Sequence, residues 1–114
     1  MEIVIYGAGV LAQLTKESVI TSGSNVAGMI DPLGNTEYKN LKEFDKDCDI
    51  IIDFSHFSSL NDILEYAVKN KKPVIIATTG HSKEQTALIE EAAKHIAVLK
   101  ATNTSFGVTM VNEI

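Results

Sequence analysis

The chain has 114 residues, room for one small domain, and 45% of them are apolar, enough for a real core. Its formal net charge of −5 speaks against nucleic acid or an anionic membrane as partner, so a phosphate-bearing ligand would have to be held by backbone amides rather than by a basic field. The single cysteine, Cys48, excludes an intrachain disulfide and a cysteine-based metal site, and all ten basic residues are lysine, which removes arginine as a phosphate grip.

Ile3-Val4-Ile5-Tyr6 is a β-branched run that reads as a buried parallel strand ending at Gly7. Val10 to Ser22 reads as a helix, with Leu11, Leu14, Ser18 and Val19 at roughly helical spacing, stopped before Gly23. Asn25 to Ile30 is a second strand, closed by Asp31-Pro32 because Pro32 has no amide for a ladder. Gly34 to Asn40 reads as a polar connection. Asp49 to Phe54 is the clearest strand. A helix follows over Ser58 to Asn70, with Leu60, Ile63, Leu64, Ala67 and Val68 on one face and Ser58 or Ser59 as N-cap. Pro73 to Ala77 is a fourth strand. Ser82 to His95 is a helix that opens on a capping box, Ser82 with Gln85. Ile96 to Leu99 is a fifth strand, Thr102 to Gly107 a polar loop, and Val111 to Ile114 the start of another helix, which suggests a piece of a longer protein.

Strands alternating with helices predict an α/β fold: a Rossmann-like parallel sheet with helices on both faces, in a single domain over 1–114. Ligands of such sheets sit beyond the carboxyl ends of the strands. That places function in Gly7–Ala12, Asp31-Pro32, Phe54–Phe57, Thr78–His81 and Ala101–Ser105.

Gly7-Ala8-Gly9-Val10-Leu11-Ala12 fits the G-x-G-x-x-G/A pattern between a strand and a helix. The first glycine permits a tight turn and the second lets backbone approach a pyrophosphate. Ala12 lets the helix pack close to the sheet, and the pyrophosphate rests on free helix amides. The alternative is a plain strand-ending turn. Asp31 stands about twenty residues later, where a carboxylate accepts from the adenosine ribose hydroxyls. It is equally suited to starting the Asp31-Pro32 turn. A 2′-phosphate would meet like charge there, so NAD(H) is the expected cofactor, with NADP(H) possible.

Asp53 reads as a structural carboxylate capping the next turn, and His56 and His81 as loop histidines rather than acid–base groups. His95 and Cys48 belong to the far end of the sheet, where Cys48 reads as a small packing residue. No His/Asp/Glu spacing resembles a metal site, and Ser55 and Ser105 lack a hydrolase elbow. No signal peptide or membrane span is read, so a cytoplasmic protein is expected.

Taken together, Gly7-Ala8-Gly9, Asp31, Asp53-Phe54-Ser55, Ala77-Thr78-Thr79-Gly80 and Ala101-Thr102-Asn103-Thr104-Ser105-Phe106-Gly107 resemble, in order, the signature elements of the dihydrodipicolinate reductases of bacterial lysine biosynthesis. The resemblance implies that Gly7, Ala8, Gly9, Val10, Leu11 and Ala12 hold the pyrophosphate and Asp31 the ribose. It implies that Ala77, Thr78, Thr79, Ala101, Thr102, Asn103 and Thr104 line the nicotinamide-ribose region, with Thr79 also facing substrate. Departures are Val10, Ala12 and Gln13 at the first loop's last Gly, Met and Gly, Ala77 for a Gly, and Thr104 for a Phe or Met.

In such enzymes a second domain carries the His/Lys-rich catalytic motif and the tetramer contacts. No such motif occurs here, so this chain is expected to bind cofactor without turnover and to contribute no catalytic residue. The small-molecule substrate would be a cyclic imine-type dicarboxylate. Two other readings remain: the cofactor half of another two-domain dehydrogenase, such as an amino-acid dehydrogenase, or a stand-alone NADH-sensing module.

Overall fold

In the computed structural model, which describes residues 1–55, 59–77 and 82–100, the apolar runs become the strands of one sheet. The elements in chain order are β1 (Glu2–Tyr6), α1 (Val10–Thr21), β2 (Asn25–Ile30) and β3 (Ile50–Asp53). They continue as α2 (Leu60–Asn70), β4 (Val74–Ile76), α3 (Lys83–Ala92) and β5 (Val98–Lys100). The strand order is β2-β1-β3-β4-β5 and every pairing is parallel. The chain therefore leaves β1 toward one edge and resumes at β3 on the other side, so its direction of travel reverses between β1 and β3. The expected loop at 102–107 and helix start at 111–114 lie outside the described residues.

Burial on both faces explains why these strands are apolar throughout rather than alternating. Val4, Tyr6, Ile30, Ile51, Val74 and Ile76 pack against Leu60, Ile63, Leu64 and Ala67 of α2 and Ile89 and Ala92 of α3. On the other face Ile3, Ile5, Met29, Ile52 and Ile75 pack against Ala12 and Val19 of α1. The two-faced α/β architecture expected from the alternation is thus the one observed.

The apolar spacing of α1 identified its packed face only in part, through Val19. Leu11 and Leu14 are 63% and 53% exposed, whereas Ala12 is fully buried and Val19 nearly so. Ala12 and Val19 are seven residues apart, two turns on one side of the helix. The small Ala12 side chain lets that side lie close to the sheet, and this close approach turns the leucines outward.

The segment 31–49 replaces the helix that usually joins such strands. Its Leu41, Phe44 and Cys48 enter the core, just beyond the stretch Gly34 to Asn40 read as a polar connection, and Cys48 packs as expected. Tyr38 meets Phe44 edge-on at 5.3 Å between ring centroids, and Phe44 meets Tyr66 of α2 at 6.3 Å. Gly28 makes room for this aromatic cover: a Cβ there would lie 2.9 Å from Tyr38 Cε2 and 3.1 Å from Phe44 Cε1. The β1–β2 register slips next to it, between Ile3 and Val4.

The helix ends follow local chemistry. Ser82 Oγ accepts from the Gln85 amide, and the Gln85 side chain accepts from the Ser82 amide, each at 3.1 Å, closing the expected capping box on α3. Ser59 occupies the N-cap position of α2 without a capping bond from its side chain. Lys71 ends α2 with φ of 55°, a left-handed conformation that favours glycine.

Candidate functional site

The carboxyl ends of β1, β2 and β3 open into a cleft of about 580 Å³. Its floor is Gly7, Ala8 and Gly9, one wall is the turn Asp31-Pro32-Leu33 with Asn35, and the other is Phe54, Ser55 and Ser59. It lies where the strand order reverses, which is where open α/β sheets place ligands. A larger concavity of about 710 Å³ lies between α2 and α3, around Leu64, Val68, Leu88 and Ala92. Its lining comes from α2, α3 and His95 and includes no strand end, so the chemistry is better sought in the smaller cleft.

The two glycines of the first loop do different work. Gly7 has φ of +135°, and a Cβ on it would sit 3.1 Å from the Phe54 carbonyl carbon. Its amide donates to the Ile30 carbonyl at 2.7 Å, while the Phe54 amide donates to the Tyr6 carbonyl at 2.8 Å, so the loop is clamped between β2 and β3. Gly7 is therefore demanded by the protein itself. Gly9 has φ of −75° and a Cβ there would meet, chain neighbours aside, no atom of the described residues within 4 Å. Nothing in the described fold requires glycine at that position.

Gly9 is also the N-cap of α1. No side chain caps that terminus and no acidic residue stands in its first turn. The first free amide to find a helical partner is that of Gln13, on the Gly9 carbonyl at 3.0 Å. The amides of Val10, Leu11 and Ala12 are thus first-turn donors at the positive end of a helix dipole, suited to a phosphate diester. The two glycines, the uncapped terminus and the adjoining cleft fit a dinucleotide pyrophosphate.

Asp31 is 7% exposed, at the cleft wall. Its Oδ1 accepts from the Leu33 amide at 3.1 Å and its Oδ2 from the Asn35 amide at 3.2 Å. Burial raises its pKa, but these amides and the Asn35 side chain outweigh burial and hold the carboxyl below its ordinary value. Asp31 is thus a turn-forming residue as well as a cleft residue. A carboxylate offers about four acceptor positions, so two turn amides leave capacity for sugar hydroxyls.

Behind the cleft, Asp53 is 1% exposed and its Oδ1 accepts from the Ser55 amide at 2.8 Å and from Ser55 Oγ at 2.6 Å. It shapes the turn after β3, as expected of a structural carboxylate. The Tyr6 hydroxyl, buried at the end of β1, donates to Asp62 Oδ2 at 2.7 Å. The same oxygen accepts from the Leu41 amide at 3.0 Å. One carboxylate on α2 therefore joins β1 to the segment after β2. Burial first, then Asp62, pushes the Tyr6 phenol far up, which keeps it a neutral donor.

The expected site residues separate accordingly. Gly7, Ala8, Gly9 and Asp31 come together in the cleft, with Val10 and Leu11 exposed beside it and Ala12 packed on the sheet. Ala77 follows β4, its amide on the Asp53 carbonyl at 2.9 Å, and is not in the cleft lining. Thr78, Thr79, Ala101, Thr102, Asn103 and Thr104 lie outside the described residues, as do His56, His81 and Ser105. Phe54, expected in a ligand-side loop, lines the cleft, and so do Ser59, read only as a helix cap, and Leu33 and Asn35, which sequence did not single out. Among the described residues, no group of three His, Cys, Asp or Glu side chains could hold a metal ion, and no helix is long and apolar enough to cross a membrane.

Comparison with known proteins agrees with this geometry. Residues 1–104 match the family described as dihydrodipicolinate reductase, N-terminus. The chain is 35% identical, over its whole length, to 46% of the 4-hydroxy-tetrahydrodipicolinate reductase of Brachyspira hyodysenteriae. It is 46% identical over 88 residues, 77% of this chain and 34% of the relative, to that of Alkaliphilus metalliredigens. The chain thus spans about half the length of the curated relatives it matches. A conserved hypothetical protein of Pyrococcus furiosus shares the fold, with a TM-score of 0.68 at 17% identity over 96% of this chain and 97% of its own. A family match over residues 1–104 and relatives 35% identical over the whole chain agree, and the chain belongs to the dihydrodipicolinate reductase family, matching its N-terminal part.

Proposed function

We propose that this chain is the cofactor half of a 4-hydroxy-tetrahydrodipicolinate reductase and holds a pyridine dinucleotide in the β1–β3 cleft. The observation that carries the reading is Gly9: a glycine with no steric need for one inside the protein, on the floor of a cleft and at the head of an uncapped helix. In this reading the amides from Gly7 to Ala12 bind the pyrophosphate, and Asp31 accepts from the adenosine ribose. Ala77, Thr78, Thr79 and Ala101 to Thr104 surround the nicotinamide ribose, with Thr79 toward the substrate. When bound, the reduced nicotinamide supplies a hydride to a cyclic imine-type dicarboxylate of the lysine and diaminopimelate route. Residues 1–114 are the dinucleotide-binding domain. The acid, the carboxylate grip and the contacts of a homotetramer belong to a second domain outside this chain, in a cytoplasmic enzyme.

NADH is the preferred cofactor, because the Asp31 carboxylate stands where a 2′-phosphate would bring like charge. The preference is modest, about 1 to 2 kcal/mol for one unfavourable charge contact. The test is a nucleotide-fluorescence titration of the purified chain with NADH and NADPH, followed by an assay with dihydrodipicolinate. Saturable NADH binding without turnover is expected. Absence of saturable binding, or turnover by the chain alone, contradicts the assignment.

A further inference from the structure

The floor and one wall of the cleft are tied together from behind by a closed circuit of hydrogen bonds. The Gly7 amide donates to the Ile30 carbonyl at 2.7 Å, and the amide of the next residue, Asp31, donates to the Tyr38 carbonyl at 2.8 Å. Three residues beyond Tyr38, the Leu41 amide donates to Asp62 Oδ2 at 3.0 Å. The same oxygen accepts from the Tyr6 hydroxyl at 2.7 Å, and Tyr6 precedes Gly7 in the chain, which returns the circuit to its start. Two of the three acceptors are backbone carbonyls. The third is the Asp62 carboxylate, in the first turn of α2.

An acid in the first turn of a helix ordinarily complements the helix dipole from the surface. Asp62 instead serves two buried partners, for Tyr6 and Leu41 are each 1% exposed. Without its carboxylate these two donors lose the acceptor they share. Ser59, on the opposite wall of the cleft, also acts on the Tyr6 phenol, so the floor and both walls lead to this one junction. A dinucleotide must touch the floor and the Asp31 wall at once, and it binds better when their separation is set before it arrives. We infer that Asp62 is a positioning residue for the nucleotide: one carboxylate oxygen, shared by the Tyr6 phenol and the Leu41 amide, fixes the glycine floor against the Asp31 turn. The inference rests on the dinucleotide reading above. It adds a residue that acts on the ligand without lining the cleft.

The test is a set of dissociation constants for NADH and for adenosine, which in that reading reaches only the Asp31 wall. They are measured by amide-shift titration, below the unfolding transition of each protein, in the parent chain, Tyr6→Phe, Asp62→Ala, Asp62→Asn and Tyr38→Phe. Tyr6→Phe opens the circuit while keeping the ring in its packing, and like Asp62→Ala it should weaken NADH about threefold to tenfold. The Asp31 turn is closed by its own bonds to the Leu33 and Asn35 amides. Adenosine should therefore stay within about twofold of the parent, because a ligand on one wall does not depend on the separation of two. Asp62→Asn should restore NADH to within about twofold, since an amide oxygen can still accept from both donors. Tyr38→Phe removes a hydroxyl that donates to Asp45 outside the circuit, and should change neither ligand. If Asp62→Ala does not fold, Tyr6→Phe and Asp62→Asn decide. Unchanged NADH binding in Tyr6→Phe, equal weakening of NADH and adenosine, or a loss in Asp62→Asn as large as in Tyr6→Phe overturns the inference and leaves the dinucleotide site standing. A parent chain that binds no NADH overturns both.

Discussion

Gly7 and Gly9 separate the needs of the fold from those of the ligand. Alanine at Gly7 must adopt φ of +135° with its Cβ 3.1 Å from the Phe54 carbonyl carbon, so Gly7→Ala should destabilise the chain by about 1–3 kcal/mol in a denaturant titration. Alanine at Gly9 meets open space, so Gly9→Ala should unfold near the parent midpoint yet bind NADH more weakly. The sequence motif named both glycines but could not say which served which purpose, because that depends on how closely β3 approaches β1. For Asp31 both readings open in sequence have a physical basis, since it builds the turn and lines the cleft. Its carboxyl is held below the ordinary value of 3.8, so its stabilising contribution is complete above that pH and lost as pH falls through the lower folded value. NADH affinity should accordingly be flat from neutral down to about pH 4 and decline below it, and a decline centred near pH 6 would point to a histidine instead.

The helices show where local signals suffice. The Ser82–Gln85 capping box was legible and is present, and Ser82→Ala should cost about 1 kcal/mol, read as a lower thermal midpoint. The face of α2 was equally plain from its period, whereas that of α1 was legible only in Ala12 and Val19, its leucines 11 and 14 being exposed. Periodicity ranks faces by apolar content, and the small Ala12 decided the matter by letting the helix lie close to the sheet. The segment 31–49 was not legible as a core element beyond Cys48, which was expected to pack. Leu41, Phe44 and Cys48 follow no helical or alternating period, and their burial depends on Gly28 and Tyr66, distant in sequence. Gly28→Ala should therefore destabilise by about 1–3 kcal/mol through overpacking against Tyr38 and Phe44. Near-parent stability would show that the aromatic cover can shift.

Across the molecule, parallel pairing and two buried faces followed from composition and alternation, because each strand is short, apolar and separated from the next by a connection long enough to cross over. Buried phenols then tie stability to alkaline pH. Burial first, then Cys48, pushes Tyr66 up to about 12 from 10.0, and Tyr6 is raised further. A raised folded pKa contributes stability that is complete below the unfolded value and is lost as pH climbs through the folded one. Unfolding should therefore become easier above pH 10, with the phenolate absorbance of these two tyrosines appearing together with unfolding. The central claim is that the nucleotide occupies the β1–β3 cleft rather than the larger groove between α2 and α3. Backbone amide chemical-shift mapping of the labelled chain during an NADH titration tests it most directly. The account predicts the largest shifts at Gly7 to Ala12, at Leu33 and Asn35, and at Phe54 and Ser55. Shifts clustered at Leu64, Val68, Leu88 and Ala92, with the first loop unmoved, would contradict it.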